Sequence, residues 1–450
     1  MSQSTSSKSK KKATTRGITG ISVRGYKSLY EECSLEICPL TILAGANSSG
    51  KSSIMQPLLM LKQTLEATYD PGSLLLDGPN VRFTSAKQIL SKLPSEKFTN
   101  TFTIKIEMGS THAIKNTFRK QPKKGIELIN MTYRTEKEEV TLSPQMTSED
   151  IVAVLPEELN NLYKVISSQA MTEGLQWVVE RTRCFFGFTL RSKGQKFLST
   201  PFPPAGLFKT HIGKLIHVPG LRGNLERTYK TTAIGIEFPG TFENYVASVV
   251  NHWQKTKDHR LRDLGNVLET LGLTCKVDAK QLDDTQVELR VGRLPTAKGR
   301  AKDMVSIADV GFGVSQTLPV LVALLVAESG QLVYLEQPEI HLHPRAQAAL
   351  AQILADAANR GVRVVVETHS QLLLLAVQSL VAEDKLSPDK VKLHWFTRRD
   401  DGVTEVSTAN LDDAGAFGDW PEDFGDVSLK LESRYLDAAE KRLWQRSHGG

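Results

Sequence analysis

The chain has 450 residues, 40% hydrophobic and 24% charged, the make-up of a globular protein with one large or two to three ordinary domains. Its longest apolar stretch, 318–327, is about half of the roughly 20 residues needed to span a bilayer, and the Ser/Lys-rich N-terminus lacks the apolar segment of a secretory signal. Lys8, Lys10, Lys11, Lys12 and Arg16 supply five of the six net positive charges, which excludes a bulk nucleic-acid signature for the body and leaves 1–16 as a disordered basic tail. If that tail meets DNA, RNA or an acidic partner, salt should weaken the contact steeply. Cys33, Cys38, Cys184 and Cys275 show no CxxC spacing, so reduced thiols and a cytoplasmic location are expected.

In chain order, Ile18 to Val23 alternates as a strand, and Leu35 to Ala44 reads as a second strand with a buried apolar end from Pro39. Next come Gly45-Ala46-Asn47-Ser48-Ser49-Gly50-Lys51-Ser52-Ser53 and a helix from Lys51 to Ala67, with Ile54, Met55, Leu58, Leu59, Leu61 and Leu65 at helical spacing. Residues 99–142 carry an antiparallel β pattern, and 148–182 read as helical. The Pro/Gly-punctuated 185–230 gives no assignment, and Phe242 to Leu271 is again helical. Val310-Gly311-Phe312-Gly313-Val314-Ser315-Gln316 is a glycine-rich turn whose Ser315 caps a helix starting near Gln316, with Pro319 in its first turn. Gln331 to Leu335 fits a central parallel strand that delivers Glu336 at its C-terminal end, where open α/β sheets place their ligands. Glu336-Gln337-Pro338-Glu339 and His341-Leu342-His343-Pro344 follow. A helix from Arg345 to Asn359 and a strand from Val362 to Val366 then lead to Glu367-Thr368-His369-Ser370. There is no internal repeat and no long heptad array.

The nine-residue loop is a phosphate-binding motif between a strand and a helix. Gly45 and Gly50 let successive N–H groups turn toward phosphate oxygens. Lys51 is placed to reach the β and γ phosphates, Ser52 to ligate Mg²⁺, and the helix start adds positive potential. ATP with Mg²⁺ is therefore the expected ligand.

The order of motifs resembles the ATP-binding-cassette (ABC) ATPases, in the soluble branch that includes SMC, RecF and OLD-type proteins. The gaps agree: 21 residues from Ser315 to Glu336 and 33 more to His369. The 264 residues between Lys51 and Ser315 exceed what a transporter's nucleotide domain has. Leu43 to Ser53, Leu335 to Pro344 and Asp419-Trp420-Pro421-Glu422-Asp423-Phe424 further resemble the bacterial AAA-type ATPases with an uncharacterised C-terminal domain. The likeness spans about 17–92 and 205–430 in patches.

This resemblance implies an α/β fold, an ABC-type P-loop NTPase head built on a mixed β-sheet flanked by helices, with a β/α region inserted between phosphate loop and signature. The expected division is a tail at 1–16, head at 17–92, inserted region at 93–210, connecting helical region at 211–300, head again at 301–410 and a family-specific segment at 411–450. It also implies that Glu336 holds Mg²⁺ through water, Gln88 links Mg²⁺ to the inserted domain, and His369 senses the γ-phosphate. Gly313, Ser315 and Gln316 are to meet the nucleotide of a second subunit in a head-to-tail homodimer. Arg222, in Pro219-Gly220-Leu221-Arg222, resembles a recurrent family element.

Gln337 stands where the wider superfamily has a water-polarising glutamate, and a neutral amide is no general base. Either Glu339 takes that role or hydrolysis is slow and the protein acts as a nucleotide-held clamp. His341 and His343 read as structural or interface residues rather than metal ligands, and Asp412 to Asp426 as a solvated or partner-docking segment. The expected function is an ATPase clamp or sensor beside a separate nuclease or effector, as in the anti-phage systems of some relatives. A DNA-binding repair protein of the RecF/SMC kind and a self-contained OLD-like nuclease are the alternatives.

Overall fold

The structure, a computed structural model, describes residues 17–92, 98–122, 125–156, 160–161, 175–192, 204–222, 226–293, 303–418 and 426–448. The basic tail and the 419–424 motif lie outside the described residues.

Strands β1 (Gly20–Arg24) and β2 (Cys33–Glu36) pair antiparallel. The single strand expected over 35–44 is two: Pro39, without an N–H for a ladder, lies between β2 and β3 (Leu40–Gly45). The Thr41 hydroxyl accepts from the Cys38 N–H at 3.0 Å and closes the bend. Helix α1 (Lys51–Glu66) starts as the sequence indicates and buries Ile54, Met55, Leu58, Leu59 and Leu61.

The β pattern over 99–142 becomes a meander of β4 (Thr101–Met108), β5 (His112–Gln121), β6 (Gly125–Arg134) and β7 (Glu139–Leu142). In β4, Phe102, Ile104, Ile106 and Met108 are buried at period two. Because β4 pairs with β1, this sheet runs straight across the division expected at 92/93. Its order is β2-β1-β4-β5-β6-β7.

Of the helical reading for 148–182, α2 (Ser148–Val154) stands, started by a Thr147/Asp150 capping box, and residues 160–161 are helical as well. Residues 162–174 lie outside the described residues. Over 175–182 the helical expectation is wrong: strand β8 (Leu175–Thr182) stands there and forms a hairpin with β9 (Phe185–Ser192). The β-branched and aromatic run Trp177-Val178-Val179 facing Phe188, Thr189 and Leu190 suits a pleated surface better than a helix.

The unassigned 185–230 also contains α3 (Gly206–Gly213), β10 (Ile216–Val218) and β11 (Tyr229–Lys230). The helical stretch after Phe242 is α4 (Val246–Thr256) and α5 (Arg260–Thr270), broken at Lys257 with φ 54°. Then β12 (Val277–Gln281), β13 (Gln286–Gly292) and β14 (Met304–Ser306) form a small sheet with β11. The C-terminal part runs α6 (Phe312–Val326), β15 (Leu332–Glu336), α7 (Pro344–Asn359), β16 (Arg363–Glu367), α8 (Gln371–Ala382), β17 (Val391–Arg398), β18 (Thr404–Asn410) and α9 (Asp426–His448).

The central sheet has the order β10-β15-β16-β3-β17-β18. All neighbours are parallel except β17 and β18, so the sheet is mixed, in the α/β class. Both faces are buried: Leu332 and Tyr334 join the core shared with α1 and the antiparallel sheet, while Val333 and Leu335 join the core shared with α4 to α8. That two-sided burial is why β15 reads as a continuous apolar run. The same order puts β16 between the loop strand β3 and β15, which decides which carboxylate reaches the loop.

Candidate functional site

The loop after β3 is bent where its glycines stand. Gly45 has φ 141° and a Cβ there would lie 2.3 Å from the Phe396 carbonyl oxygen; Gly50 has φ 107° with the Thr404 hydroxyl 2.7 Å away. Only glycine fits either position. Gly50 is also the N-cap of α1 and offers no side-chain cap; the Ser53 N–H is given to the Gly50 carbonyl at 3.0 Å, which leaves the Lys51 and Ser52 N–H groups for an anion. Lys51 donates to the Gly45 and Ala46 carbonyls at 3.0 and 2.7 Å. The Ser49 hydroxyl is buried without a partner among the described residues.

The loop floors a cleft of about 520 Å³. Asn47 to Ser53, Gln337, Glu367 and His369 line it, with the cations Lys27, Lys92 and Arg398 around the rim. These three cations come from remote segments and carried no sequence signal. Four positive side chains against one carboxylate suit a polyphosphate. A volume of this size, a loop serine without a partner among the described residues and an uncapped helix start fit ATP, with Ser52 and a carboxylate for Mg²⁺.

That carboxylate differs from the expected one. The Ser52 hydroxyl donates to Glu367 at 2.8 Å, and the Tyr334 hydroxyl donates to the other Glu367 oxygen. Glu336 sits one strand further out, opposite Glu367 in register, and is occupied elsewhere. It accepts from the Gly220 N–H at 3.0 Å and lies 3.2 Å from His217 Nε2. His217 is 1% exposed, stacks on Tyr334 and meets Asn80 through Nδ1 at 3.1 Å. The two carboxyls are driven apart. Burial, then the charge of Glu336, pushes Glu367 up to about 7. Burial acts upward on Glu336 too, but hydrogen bonds from His217 and the Gly220 N–H hold it below the usual value. Glu367 opens the Glu367-Thr368-His369-Ser370 segment, yet its place beside the loop becomes visible only with the strand order. His217 and Tyr334 had no local signal at all.

Gln337 lies in the left-handed region at φ 43°, gives its N–H to the Glu367 carbonyl at 2.9 Å and lines the cleft. Glu339 does not line it. One of its oxygens accepts from the Thr368 hydroxyl at 2.7 Å and the His369 N–H at 2.8 Å, so it holds the turn that carries His369. His369 reaches the cleft, and burial, then Lys51, lowers its pKa, which favours the neutral ring. Gln88 lines the cleft as well, but its carbonyl oxygen accepts from the Thr84 and Ser85 N–H groups at 2.9 and 3.2 Å. The atom that would meet Mg²⁺ is thus used in a local cap.

The signature turn is corrected further. Helix α6 starts at Phe312 with Gly311 as N-cap, so Ser315 is inside the helix and Pro319 in its middle. Ser315 is 2% exposed and its hydroxyl donates to the Phe312 carbonyl at 3.0 Å, unable to meet a second subunit. Gln316 is buried too, and its amide donates to the Arg222 carbonyl at 3.3 Å. Gly313 is half-buried near Leu273, and exposed Phe312 packs against His341. His343 accepts from the Arg345 N–H as the N-cap of α7. Arg222 donates to the Gln316 carbonyl at 2.7 Å and the Glu336 carbonyl at 3.2 Å, tying α6 to the end of β15.

A model of the AAA ATPase domain family matches residues 17–176. A second, the AAA domain described with the AbiEii toxin of a Type IV TA system, matches residues 211–376. Two separate stretches of the chain thus match AAA ATPase domain models. Among solved structures, the chain is similar to an SmcHead bound to the C-winged helix domain of ScpA, at 13% identity over 88% of this chain and 99% of that one, TM-score 0.46. The SMC head domain from Thermotoga maritima is similar at 10% identity over 87% and 98%, TM-score 0.40. The Smc head domain from Pyrococcus furiosus, bound to the C-terminal domain of ScpA, is similar at 10% identity over 94% and 99%, TM-score 0.44. No curated protein matches the chain. No helix among its described residues is long and apolar enough to cross a membrane.

Proposed function

We propose that the protein is a slow, Mg²⁺-dependent ATPase that works as a nucleotide-held dimeric clamp or sensor beside a separate effector or nuclease. The observation that carries this is the convergence of Lys51, Ser52 and Glu367 on an uncapped helix start. Lys51 would turn from its own loop carbonyls to the phosphates, and Ser52 and Glu367 would hold Mg²⁺, with Glu336 held behind them by His217. The metal would supply charge neutralisation to the phosphates. Neutral His369 is placed to hydrogen-bond the γ-phosphate, and Glu339 fixes the turn on which it stands.

Slow turnover follows from the cleft's donors and acceptors. Glu367 is the one carboxylate among the cleft's described lining residues, and it is directed at Ser52. Gln337 can orient a water but cannot take its proton. The dimer follows from the exposed start of α6, where the N–H groups of Phe312 and Gly313 replace the Ser315 hydroxyl as donors to a second subunit's γ-phosphate. An effector partner is favoured over DNA by α9, which leaves Leu431, Tyr435 and Leu436 exposed. The nuclease alternative has no group of three His, Cys, Asp or Glu suited to a metal among the described residues to rest on.

Single-turnover hydrolysis in wild type, Gln337→Glu and Glu339→Gln tests the reading. Turnover should rise in Gln337→Glu; brisk wild-type turnover that ignores Glu339→Gln overturns the slow clamp.

A further inference from the structure

A second cavity, about 460 Å³, opens between the start of α6, β11 and the start of α4. Arg222 is 8% exposed there; its two terminal nitrogens are bound to backbone carbonyls, but Nε has no partner among the described residues. Glu243 lines the same cavity, with one oxygen accepting from Thr241 at 3.4 Å and the other buried without a partner among the described residues. Glu243 is the leading attractive charge on Arg222, yet no ion pair within 4 Å joins these two described residues. A buried donor and a buried carboxyl left unmet each carry an uncompensated desolvation cost, so their joint presence at a cavity points to a ligand that meets both.

The remaining lining defines that ligand. Lys230 and Arg222 are balanced by Glu226 and Glu243, so nothing selects an anion. Tyr229 and Tyr245 present rings, and Leu289 and Leu318 give the walls apolar area. A planar ring with a carbonyl next to an N–H, the lactam edge of a nucleobase, offers an acceptor to Arg222 Nε and a donor to Glu243. We propose that this cavity binds a neutral, nucleobase-bearing small molecule through its lactam edge, and that Arg222 reports occupancy to α6 and β15. The reporting rests on the proposed ATPase function; the binding does not.

The test is calorimetric titration of the full chain with guanosine and with 1-methylguanosine, whose lactam N–H is blocked. Guanosine should bind in the micromolar range and the methylated base at least about tenfold more weakly. Glu243→Leu should weaken guanosine about tenfold and Glu243→Gln about threefold, with binding of a fluorescent ATP analogue unchanged in both. Guanosine should also shift that analogue's affinity in wild type. Absence of guanosine binding at millimolar concentration, or equal binding of the methylated base by wild type, overturns the site whatever the variants do. Loss of guanosine binding in Lys51→Ala also overturns it, because the nucleoside then occupies the phosphate-loop cleft. Binding without a shift in analogue affinity overturns the reporting role alone.

Discussion

The phosphate-loop end of the head and the α6 end are built in opposite ways. At the loop, side chains from the loop itself, α1, β16 and remote segments bring their polar atoms into one cleft. At α6 the polar side chains Ser315, Gln316 and Thr317 turn inward to backbone carbonyls, and what faces out is a bare helix start with Phe312 60% exposed. One end therefore binds through its side chains. The other offers backbone N–H groups and an apolar ring, useful only against another surface.

The sharpest way to break this contrast is at Lys51. Lys51→Ala should weaken binding of a fluorescent ATP analogue by about 100-fold, because several charge-assisted hydrogen bonds are lost at once; a loss under tenfold would mean that the rim cations hold the nucleotide. At the other end, Phe312→Asp should weaken ATP-dependent dimerisation about tenfold in sedimentation, since a carboxylate at the helix start opposes an incoming phosphate. Ser315→Ala should leave it within twofold, and a large effect there would restore the hydroxyl to the site.

The two strand-end carboxylates permit a finer test. Glu367→Gln should reduce the Mg²⁺-dependent gain in nucleotide affinity about tenfold, while Glu336→Gln should change that gain less than about threefold. The smallest expected effect is on stability in metal-free, nucleotide-free buffer. Glu367 binds its proton more tightly folded, near 7, than unfolded, so its contribution is complete below the ordinary glutamate range and is lost as pH rises through about 7. Denaturant midpoints of Glu367→Gln relative to wild type should therefore improve from pH 5 to pH 7.5. A constant difference would mean that Glu367 is ionised throughout.

What the sequence disclosed was local. The loop, α1, β15, α7 and β16 follow from apolar runs, glycines and caps within a few residues, and these elements stand within a residue or two of their expected positions. The β8–β9 hairpin went unseen because its pairing, not its period, makes it a strand. The exchange of Glu336 for Glu367 depends on β16 lying between β3 and β15, a relation among residues over 300 positions apart. Ser315 shows the same limit in reverse. A serine near a glycine turn looks like a cap, but the chain turned helical at Phe312, and the hydroxyl was enclosed by the core that buries Leu318 and Leu321.

Arg222 fastens the start of α6 and the end of β15 with one guanidinium, pushed down to about 10 by burial but still charged at neutral pH. In a head-to-tail dimer those two ends belong to different ATP molecules: β15 backs the subunit's own nucleotide, and α6 faces its partner's. The two nucleotides are then linked in series through a single side chain in each subunit. If such a dimer forms, filling one site would favour filling the other, and it would report ATP as a threshold rather than a gradient.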